Sequence, residues 1–266
     1  EDLELILHPM VEDAKEAVGS MGDDAPTAVL SDKYRPLSHF FRQNFSQVTN
    51  PPIDSLRENE VMSLKTRFGN LGNILDFENL TKDDIYVLDS PILSNSQFEK
   101  FLNFFKKNIR ILDCTFDVRK GLKERLDALR KEAEIAVREG GKDIILSDKE
   151  TNENKAPIPM ALAIGAVNSR LVDLGIRGFA SINVQTAEAI DTHSFAILLG
   201  VGATTINPYI AFDSIYQRYK KKLFGKLSFE ECVDRYIKSV DNGILKIMSK
   251  MGISVLSAYR GGCNFE

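Results

Sequence analysis

Short apolar runs alternate with longer helix-like stretches through the middle of the chain, and this alternation restricts the fold more than any other feature. The apolar runs cover residues 109–116, 143–147, 179–184 and 203–207. The helix-like stretches that follow them cover residues 122–137, 159–174, 187–199 and 210–223. Strands that alternate with helices in this way indicate consecutive βα units and a parallel sheet.

The periodicity inside these segments agrees with that assignment. Between Leu122 and Ala136, leucine and alanine recur at spacings of four and three residues, which places them on one face of a helix. In the second apolar run, Ile144, Ile145 and Leu146 are adjacent, as expected for a strand covered on both faces.

Four βα units are half of the eight that close a (β/α) barrel. We therefore predict an α/β fold built on a partial (β/α) barrel-like parallel sheet, with an open α/β sheet as the alternative. Apolar residues at helical spacing between Leu3 and Ala14 predict a further helix over residues 1–18. The sheet is thus expected to carry added N-terminal helices and loops.

Composition and charge argue against several classes of function. The net charge is −4, which gives no support for binding to nucleic acid or to a membrane surface. No apolar run approaches the ~20 residues that a membrane span requires. The three cysteines are far apart and show no metal-type spacing, so a reducing compartment is expected. The chain opens on Glu1 without an initiator methionine, and we expect it to be part of a longer polypeptide.

Polar residues at the ends of the predicted strands are the first candidates for chemistry, because sites of barrel folds gather there. Asp113 and Asp148 suit an acid–base pair or ligands for a divalent metal. They suit helix caps and turns equally well. A free-standing (β/α) metal-dependent lyase or hydrolase therefore stays open as the alternative function. His193 and Cys114 give no nucleophile arrangement, because neither has a catalytic partner nearby in sequence.

Three local patterns add expectations outside the βα region. Ser94 with Gln97, and Ser228 with Glu231, have the spacing of a capping box and predict helix starts. The basic residues between Arg218 and Lys226 indicate a solvated helix end; a docking surface is the less favoured interpretation.

Several longer stretches together resemble the large subunit of glutamate synthase, in order along nearly the whole chain. They are residues 19–26, 28–32, 41–54, 56–58, 61–64, 145–148, 156–159, 207–209, 244–253 and 257–261. This similarity implies the central domain, which joins an amidotransferase domain to an FMN-binding synthase barrel. It further implies a fold like a rudimentary FMN-type TIM barrel. We expect the central domain over residues 1–212 and a truncated helical lead-in to the synthase domain over residues 213–266.

The resemblance implies that the parent enzyme makes two L-glutamate from L-glutamine, 2-oxoglutarate and two electrons. FMN and an iron–sulfur cluster belong to the full-length enzyme, and no cofactor or metal is expected in this fragment, which should be catalytically inactive alone. The implied partners are the neighbouring domains of the same chain and a small reductase subunit. The expected location is the cytoplasm, or the plastid in a plant or alga, and the electron donor stays open among NADPH, NADH and ferredoxin.

In the family, ammonia passes through an internal channel that runs close to the central domain. The positions that match its walls are Ser20, Met21, Gly22, Thr49, Asn50 and Pro51. The two prolines at 51 and 52 stiffen the second loop, because each fixes its own φ angle. The sequence departs from the family at 168–170 and 193–194, where histidine pairs are frequent, and at 262–264. No family role is carried over to those residues.

Overall fold

The computed structural model describes residues 2–17, 35–45, 53–54, 56–69, 75, 85–262 and 264–266. The helices are α1 (His8–Glu12), α2 (Glu58–Val61), α3 (Asn95–Phe104), α4 (Leu122–Arg138), α5 (Met160–Asp173), α6 (Thr192–Gly200), α7 (Tyr209–Lys220), α8 (Phe229–Lys250) and α9 (Leu256–Tyr259). The strands are β1 (Thr66–Phe68), β2 (Tyr86–Leu88), β3 (Ile109–Asp113), β4 (Thr115–Asp117), β5 (Asp143–Ser147), β6 (Lys155–Pro157), β7 (Ser181–Gln185) and β8 (Thr205–Asn207). A π-helical turn, Leu3–Leu7, leads into α1, and 3-10 turns cover Leu37–Phe40 and Arg177–Phe179.

The predicted parallel sheet is confirmed. It has four strands in the order β3-β5-β7-β8, and each neighbouring pair is parallel. Helices α4, α5 and α6 connect the successive strands. All five residues of β5 are buried, because helices or loops cover both faces of the central strand. Three consecutive βα crossovers in strand order give the partial barrel-like arrangement.

The first predicted strand, residues 109–116, proved wrong in its extent, because the chain turns at its end. Asp113 Oδ1 accepts hydrogen bonds from the backbone N–H and the hydroxyl of Thr115, at 2.9 and 2.7 Å. The turn directs β4 out of the parallel sheet, and β4 pairs with β6 in an antiparallel ribbon instead. The apolar pattern continues through this turn, and so it did not reveal the break.

The outer edge of β8 is covered by the residues that precede α3. The Ile206 N–H donates to Pro91 O at 2.8 Å, and the Leu93 N–H donates to Ile206 O at 2.9 Å. Ile92 and Ile206 form an isolated parallel bridge. This cover removes part of an exposed strand edge, which otherwise invites pairing with another chain.

Helix boundaries differ most from the predictions at two places. Helix α6 begins at Thr192 rather than at residue 187, because the Asp191 side chain accepts a hydrogen bond from the Ser194 N–H and caps the helix there. The N-terminal helix ends at Glu12 rather than near residue 18, and Ala14 has φ of 52°, outside the helical range.

The core forms one large apolar cluster and one smaller one. The large cluster joins the sheet to α4, α5, α6, α7 and α8. The smaller cluster gathers around α3, where Phe98, Phe101 and Phe105 pack with Phe68 from β1. Both predicted capping boxes are confirmed, at Ser94 before α3 and at Ser228 before α8. In the part of the chain that the structure describes, no helix combines the length and apolar character needed to cross a membrane.

Candidate functional site

The carboxyl edge of the parallel sheet holds a chain of polar side chains from neighbouring strands. Ser147 Oγ donates to Gln185 Oε1 at 3.0 Å, and Gln185 Nε2 donates to Asn207 Oδ1 at 3.2 Å. Asn207 Nδ2 donates in turn to Leu93 O at 2.9 Å. Since each amide both donates and accepts, the chain fixes the orientation of these side chains across three strands.

Asp148 lies just beyond this chain and is buried, with 1% of its surface exposed. Its Oδ2 accepts hydrogen bonds from Thr186 Oγ1 at 2.7 Å and from the Ala187 N–H at 2.9 Å. Burial raises the pKa of the Asp148 carboxyl, and these hydrogen bonds oppose the shift. The carboxylate therefore holds together the ends of β5 and β7.

Two further titratable side chains lie close to Asp148. Burial, followed by the charge of Asp148, raises the pKa of Tyr209. Burial is also the main reason that the pKa of Glu188 is raised, and the charge of Asp148 adds to it. Glu188 Oε2 accepts a hydrogen bond from the Met160 N–H at 2.9 Å. These groups stabilise the loops at the carboxyl edge by hydrogen bonds to backbone and side chains.

Asp113 does not join this cluster by any hydrogen bond. One of its oxygens binds Thr115 within the turn, and the other lies 3.3 Å from Lys155 Nζ. The residues of the described segments include no group of three or more His, Cys, Asp or Glu side chains placed to hold a metal ion. Asp113 thus has the turn-forming role that the sequence left open, whereas the Asp148 carboxyl links the ends of β5 and β7 and, among the described residues, caps no helix or local turn.

The cysteine and histidine environments are those of packing residues. Cys114 is fully buried, and burial raises the pKa of its thiol to about 12, so it stays protonated near neutral pH. His193 Nε2 lies 3.0 Å from both Ser38 O and Phe41 O, so that in the tautomer with a proton on Nε2 it donates to these carbonyls.

The first turn of α6 brings together two segments that are distant in sequence. The Thr192 N–H donates to Glu16 Oε1 at 3.3 Å. The next residue, His193, contacts the carbonyl oxygens of Ser38 and Phe41. Burial raises the pKa of Glu16, and the charge of Asp191 adds to that shift. Adjacent residues of α6 therefore hold the chain on either side of residues 18–34.

Residues 41–45, which we call the strap, lie against the last residues of the chain. Gln43 and Phe265 pair in antiparallel fashion. The Arg42 N–H donates to Glu266 O at 2.8 Å, and the Asn44 N–H donates to Asn264 O at 2.9 Å. Tyr259 Oη donates to Gln43 Oε1 at 2.8 Å. The strap is thereby fixed to α9 and to the last residues.

The six predicted channel positions, Ser20, Met21, Gly22, Thr49, Asn50 and Pro51, lie outside the described residues. Among the described residues, the loops that contain these positions are flanked by Glu16, by the strap and by Ile53. The Ile53 N–H donates to Ser249 O at 3.0 Å, at the end of α8. The flanks are thus held by α6, by α8 and by the last residues of the chain.

Sequence reasoning missed the contacts that fix the strap. Gln43 and Tyr259 lie 216 positions apart, and no local pattern predicts their hydrogen bond. Both fall within stretches that resemble the glutamate synthase family, and this was the signal that could have marked them.

The family model described as the glutamate synthase central domain matches residues 1–266. The chain is 56% identical over 269 residues to the NADPH-type glutamate synthase large chain of Azospirillum brasilense. It is 42% identical to the corresponding large chain of Bacillus subtilis and 42% identical to a chloroplastic ferredoxin-dependent glutamate synthase of Oryza sativa. Each match covers 100% of this chain but only 17% or 18% of the relative.

Among solved structures, the chain is similar to a variant of flavocytochrome b2 with benzoylformate, at a TM-score of 0.41 and 14% identity. That match covers 62% of this chain and 36% of the other. A second flavocytochrome b2 variant, with pyruvate bound, gives the same TM-score and identity.

Proposed function

The chain belongs to the glutamate synthase central domain family, and we propose that it connects the ammonia-producing and ammonia-consuming parts of a glutamate synthase. The chain spans less than a fifth of the length of these relatives, at 18% and 17%. The observation that carries the proposal is the identity of 56% over 269 residues to a glutamate synthase large chain.

In the proposed parent reaction, L-glutamine is hydrolysed to L-glutamate and ammonia in an amidotransferase domain. The ammonia then condenses with 2-oxoglutarate, and two electrons reduce the product to a second L-glutamate. FMN and an iron–sulfur cluster would supply the electron transfer from other parts of the full-length enzyme. We propose that the residues of this chain contribute a scaffold and a wall of the ammonia passage, with no catalytic group of their own.

The proposed passage follows the loops that contain Ser20, Met21, Gly22, Thr49, Asn50 and Pro51. The support comes from the described flanks of these loops. Ser20 is four residues from Glu16, which accepts a hydrogen bond from Thr192, so Ser20 can lie at most about 14 Å from Glu16. Pro51 is two residues from Ile53, which donates to Ser249 O at the end of α8, so Pro51 can lie at most about 7 Å from Ile53. Both loops thus start from fixed points on the α6 and α8 surface.

The chemistry of these residues suits the transfer of neutral ammonia. Backbone carbonyls and the Thr49 and Asn50 side chains offer hydrogen-bond acceptors without a fixed charge that would trap ammonium. Pro51 and Pro52 reduce the freedom of the loop, so that the bore keeps its width. The remaining partners that we propose are the neighbouring domains of the same polypeptide and a small reductase subunit. The proposed location is the cytoplasm, or the plastid in a plant or alga.

The test replaces Thr49 or Asn50 by phenylalanine in the full-length enzyme and counts the glutamate formed per glutamine consumed. Complete transfer gives two glutamates per glutamine, whereas complete leakage gives one. We expect Thr49→Phe to move the ratio towards one while glutamine hydrolysis continues. The matched control is Leu56→Phe, because Leu56 is 89% exposed and tolerates an aromatic ring. A ratio that stays at two in both loop variants would refute the channel assignment.

A further inference from the structure

A cavity of about 910 Å³ lies at the amino edge of the parallel sheet, on the side opposite the polar chain described above. Its wall includes residues that immediately precede strands: Lys142 before β5, Ala180 before β7 and Thr204 before β8. We call it the amino-edge cavity. Its volume lies within the range of small-molecule sites, which is roughly 300–1,000 Å³.

Four cationic side chains and one carboxyl group line this cavity. The cations are Arg67, Lys142, Arg177 and Arg260, and the acid is Asp143. None of the four cations forms an ion pair with a carboxylate of the described residues. The cavity therefore carries an excess of three positive charges that the described part of the chain does not neutralise.

Arg177 and Arg260 differ in how far their donors are used. Arg177 donates to Asn168 Oδ1 at 2.7 Å, to Ala180 O at 2.6 Å and to Gly202 O at 3.0 Å, which fixes its position. Among the described residues, the Arg260 side chain makes long contacts, 3.3 Å to Thr66 Oγ1 and 3.5 Å to Thr204 O. Its Nε is shielded from solvent and has no hydrogen-bond partner among the described residues. A guanidinium whose N–H groups lack good acceptors is costly to bury, and an anion bound by its remaining N–H groups would offset that cost.

The two guanidinium groups also repel each other. Burial, followed by the positive charge of Arg177, lowers the pKa of Arg260 to about 10. The Asp143 carboxyl interacts with the charge of Lys142, and its Oδ1 accepts a hydrogen bond from Ser181 Oγ at 2.7 Å. Ser181 itself accepts from Asn183 Nδ2 at 2.7 Å, so Asp143 belongs to a hydrogen-bonded row along the strands.

We propose that the amino-edge cavity binds a small metabolite that carries an oxyanion, with Arg260 as its main charged contact and Arg67 and Lys142 as further ones. The shared chemistry is a carboxylate or phosphate group, which matches the planar fork of an arginine. The apolar part of the ligand would lie against Phe104 and Phe179, which are 51% and 71% exposed at this cavity. This inference does not depend on the proposed ammonia passage.

The experiment measures anion binding by isothermal titration calorimetry on the complete protein that carries these residues, at constant ionic strength. The probes are inorganic phosphate for the phosphate source and citrate for the carboxylate source, with chloride as the competing ion. We expect one of the probes, or both, to bind more tightly than chloride. Phosphate alone indicates a phosphorylated ligand, citrate alone indicates a polycarboxylate, and each result supports the shared oxyanion chemistry.

Two variants with opposite expected effects locate the site. Arg260→Met should weaken probe binding roughly tenfold or more, because it removes the charge and the free donors. Asp143→Asn should strengthen binding several-fold, because it removes the one negative charge but keeps an acceptor for Ser181. A merely structural role of these residues would not move the affinity in opposite directions. Arg119→Met is the matched control, since Arg119 is paired with Asp117 on an exposed turn.

If Arg260→Met fails to fold, Arg67→Met takes its place, because Arg67 is exposed on β1 and its loss leaves no buried gap. Chloride-like affinity for both probes would overturn the proposal. Probe binding that is unchanged in Arg67→Met, Arg260→Met and Asp143→Asn would overturn it as well, since the anion would then bind elsewhere.

Discussion

Asp241 on α8 shows how the surroundings of a single residue couple stability to pH. Ser90 Oγ donates a 2.7 Å hydrogen bond to Asp241 Oδ1, and both residues line a second cavity of about 470 Å³. Burial raises the pKa of the Asp241 carboxyl from its ordinary value of 3.8 to about 7, and the Ser90 hydrogen bond opposes the shift. The folded protein thus favours the neutral carboxyl more than the unfolded chain does.

The sign of the pH dependence follows from this shift. A carboxyl whose folded pKa is raised contributes stability below about pH 4, and that contribution is lost as the pH rises through about 7. We expect Asp241→Asn to raise the free energy of unfolding by roughly 2 kcal/mol at pH 8 and to change it little at pH 4. Urea unfolding at the two pH values measures the difference. An equal effect at both would contradict the assignment.

Two helix glycines are expected to respond in opposite ways to the same substitution. A Cβ at Gly243 in α8 would lie 2.5 Å from Thr192 Oγ1 and 3.0 Å from Thr192 Cβ, whereas a Cβ at Gly165 in α5 would have no atom within 4 Å. Alanine gains up to about 1 kcal/mol over glycine inside a helix. Overpacking costs about 1–3 kcal/mol, and the β-branched Thr192 cannot easily move away.

We therefore predict that Gly165→Ala stabilises the protein by up to about 1 kcal/mol. We predict that Gly243→Ala destabilises it by roughly 1–2 kcal/mol. Chemical denaturation measures both. Adding Thr192→Ala to Gly243→Ala should recover much of the loss, and no recovery would show that the close packing of α6 on α8 is not the cause.

At the scale of elements, the capping boxes determine where α3 and α8 begin. The Gln97 N–H donates to Ser94 Oγ at 3.2 Å, and the Glu231 N–H donates to Ser228 Oγ at 3.2 Å. In each box, the side chain of the third helix residue also accepts a hydrogen bond from the backbone N–H of the cap serine. Two backbone N–H groups that would otherwise be unpaired are therefore satisfied. The helix starts are thus fixed by short-range contacts.

Ser94→Ala and Ser228→Ala should each lower the free energy of unfolding by about 1 kcal/mol, because each removes a helix cap. The control is Ser169→Ala on the exposed side of α5, where the same change should be neutral or slightly stabilising, because alanine favours a helix interior. Thermal and urea unfolding of the three variants test this. A loss of stability in Ser169→Ala equal to that of the caps would contradict a capping role.

At the scale of the whole molecule, the strap joins three distant parts of the chain. It contacts α6 through His193, α9 through Tyr259 and the last residues through backbone hydrogen bonds. Gly200 at the end of α6 lies against the ring of Phe265, where a Cβ would clash. The strap precedes the second loop of the proposed ammonia passage, so its anchoring fixes one end of that loop.

Tyr259→Phe is predicted to loosen the strap. Tyr259 Oη donates to Gln43 Oε1 at 2.8 Å, and losing about 1 kcal/mol there should speed exchange of the Asn44 amide roughly fivefold. Tyr236→Phe is the matched control, because Tyr236 Oη donates to Ile190 O at 2.8 Å, away from the strap. Hydrogen exchange resolved by residue compares the two. Equal acceleration at Asn44 in both variants would refute a local role.

The parts of the fold that short-range patterns encode were predictable. Short apolar runs that alternate with stretches of helical period indicated the four βα units, and serine at the cap position indicated two helix starts. Arg218 was expected on a solvated face, but it is 8% exposed and pairs with Glu4 at 2.9 Å.

Two element boundaries were missed although their causes are local, because a polar turn or cap sets each of them and the apolar pattern does not mark it. The end of β3 depends on the turn at Asp113, and α6 starts late because Asp191 caps it. The division of the chain after residue 212 remains a proposal, and that position lies within α7. The six channel residues also remain proposals.

The sequence by itself determined the family, the parallel sheet and the helix caps, because each depends on residues close together or on long ordered stretches of similarity. Only the tertiary structure decided that Arg260, Arg177, Lys142 and Arg67 line one cavity, and that Gln43 meets Tyr259. These contacts join residues from separate elements, and local periodicity carries no information about which distant surfaces pack together. Charge and hydrogen bonding at such meeting points depend on the three-dimensional path of the chain.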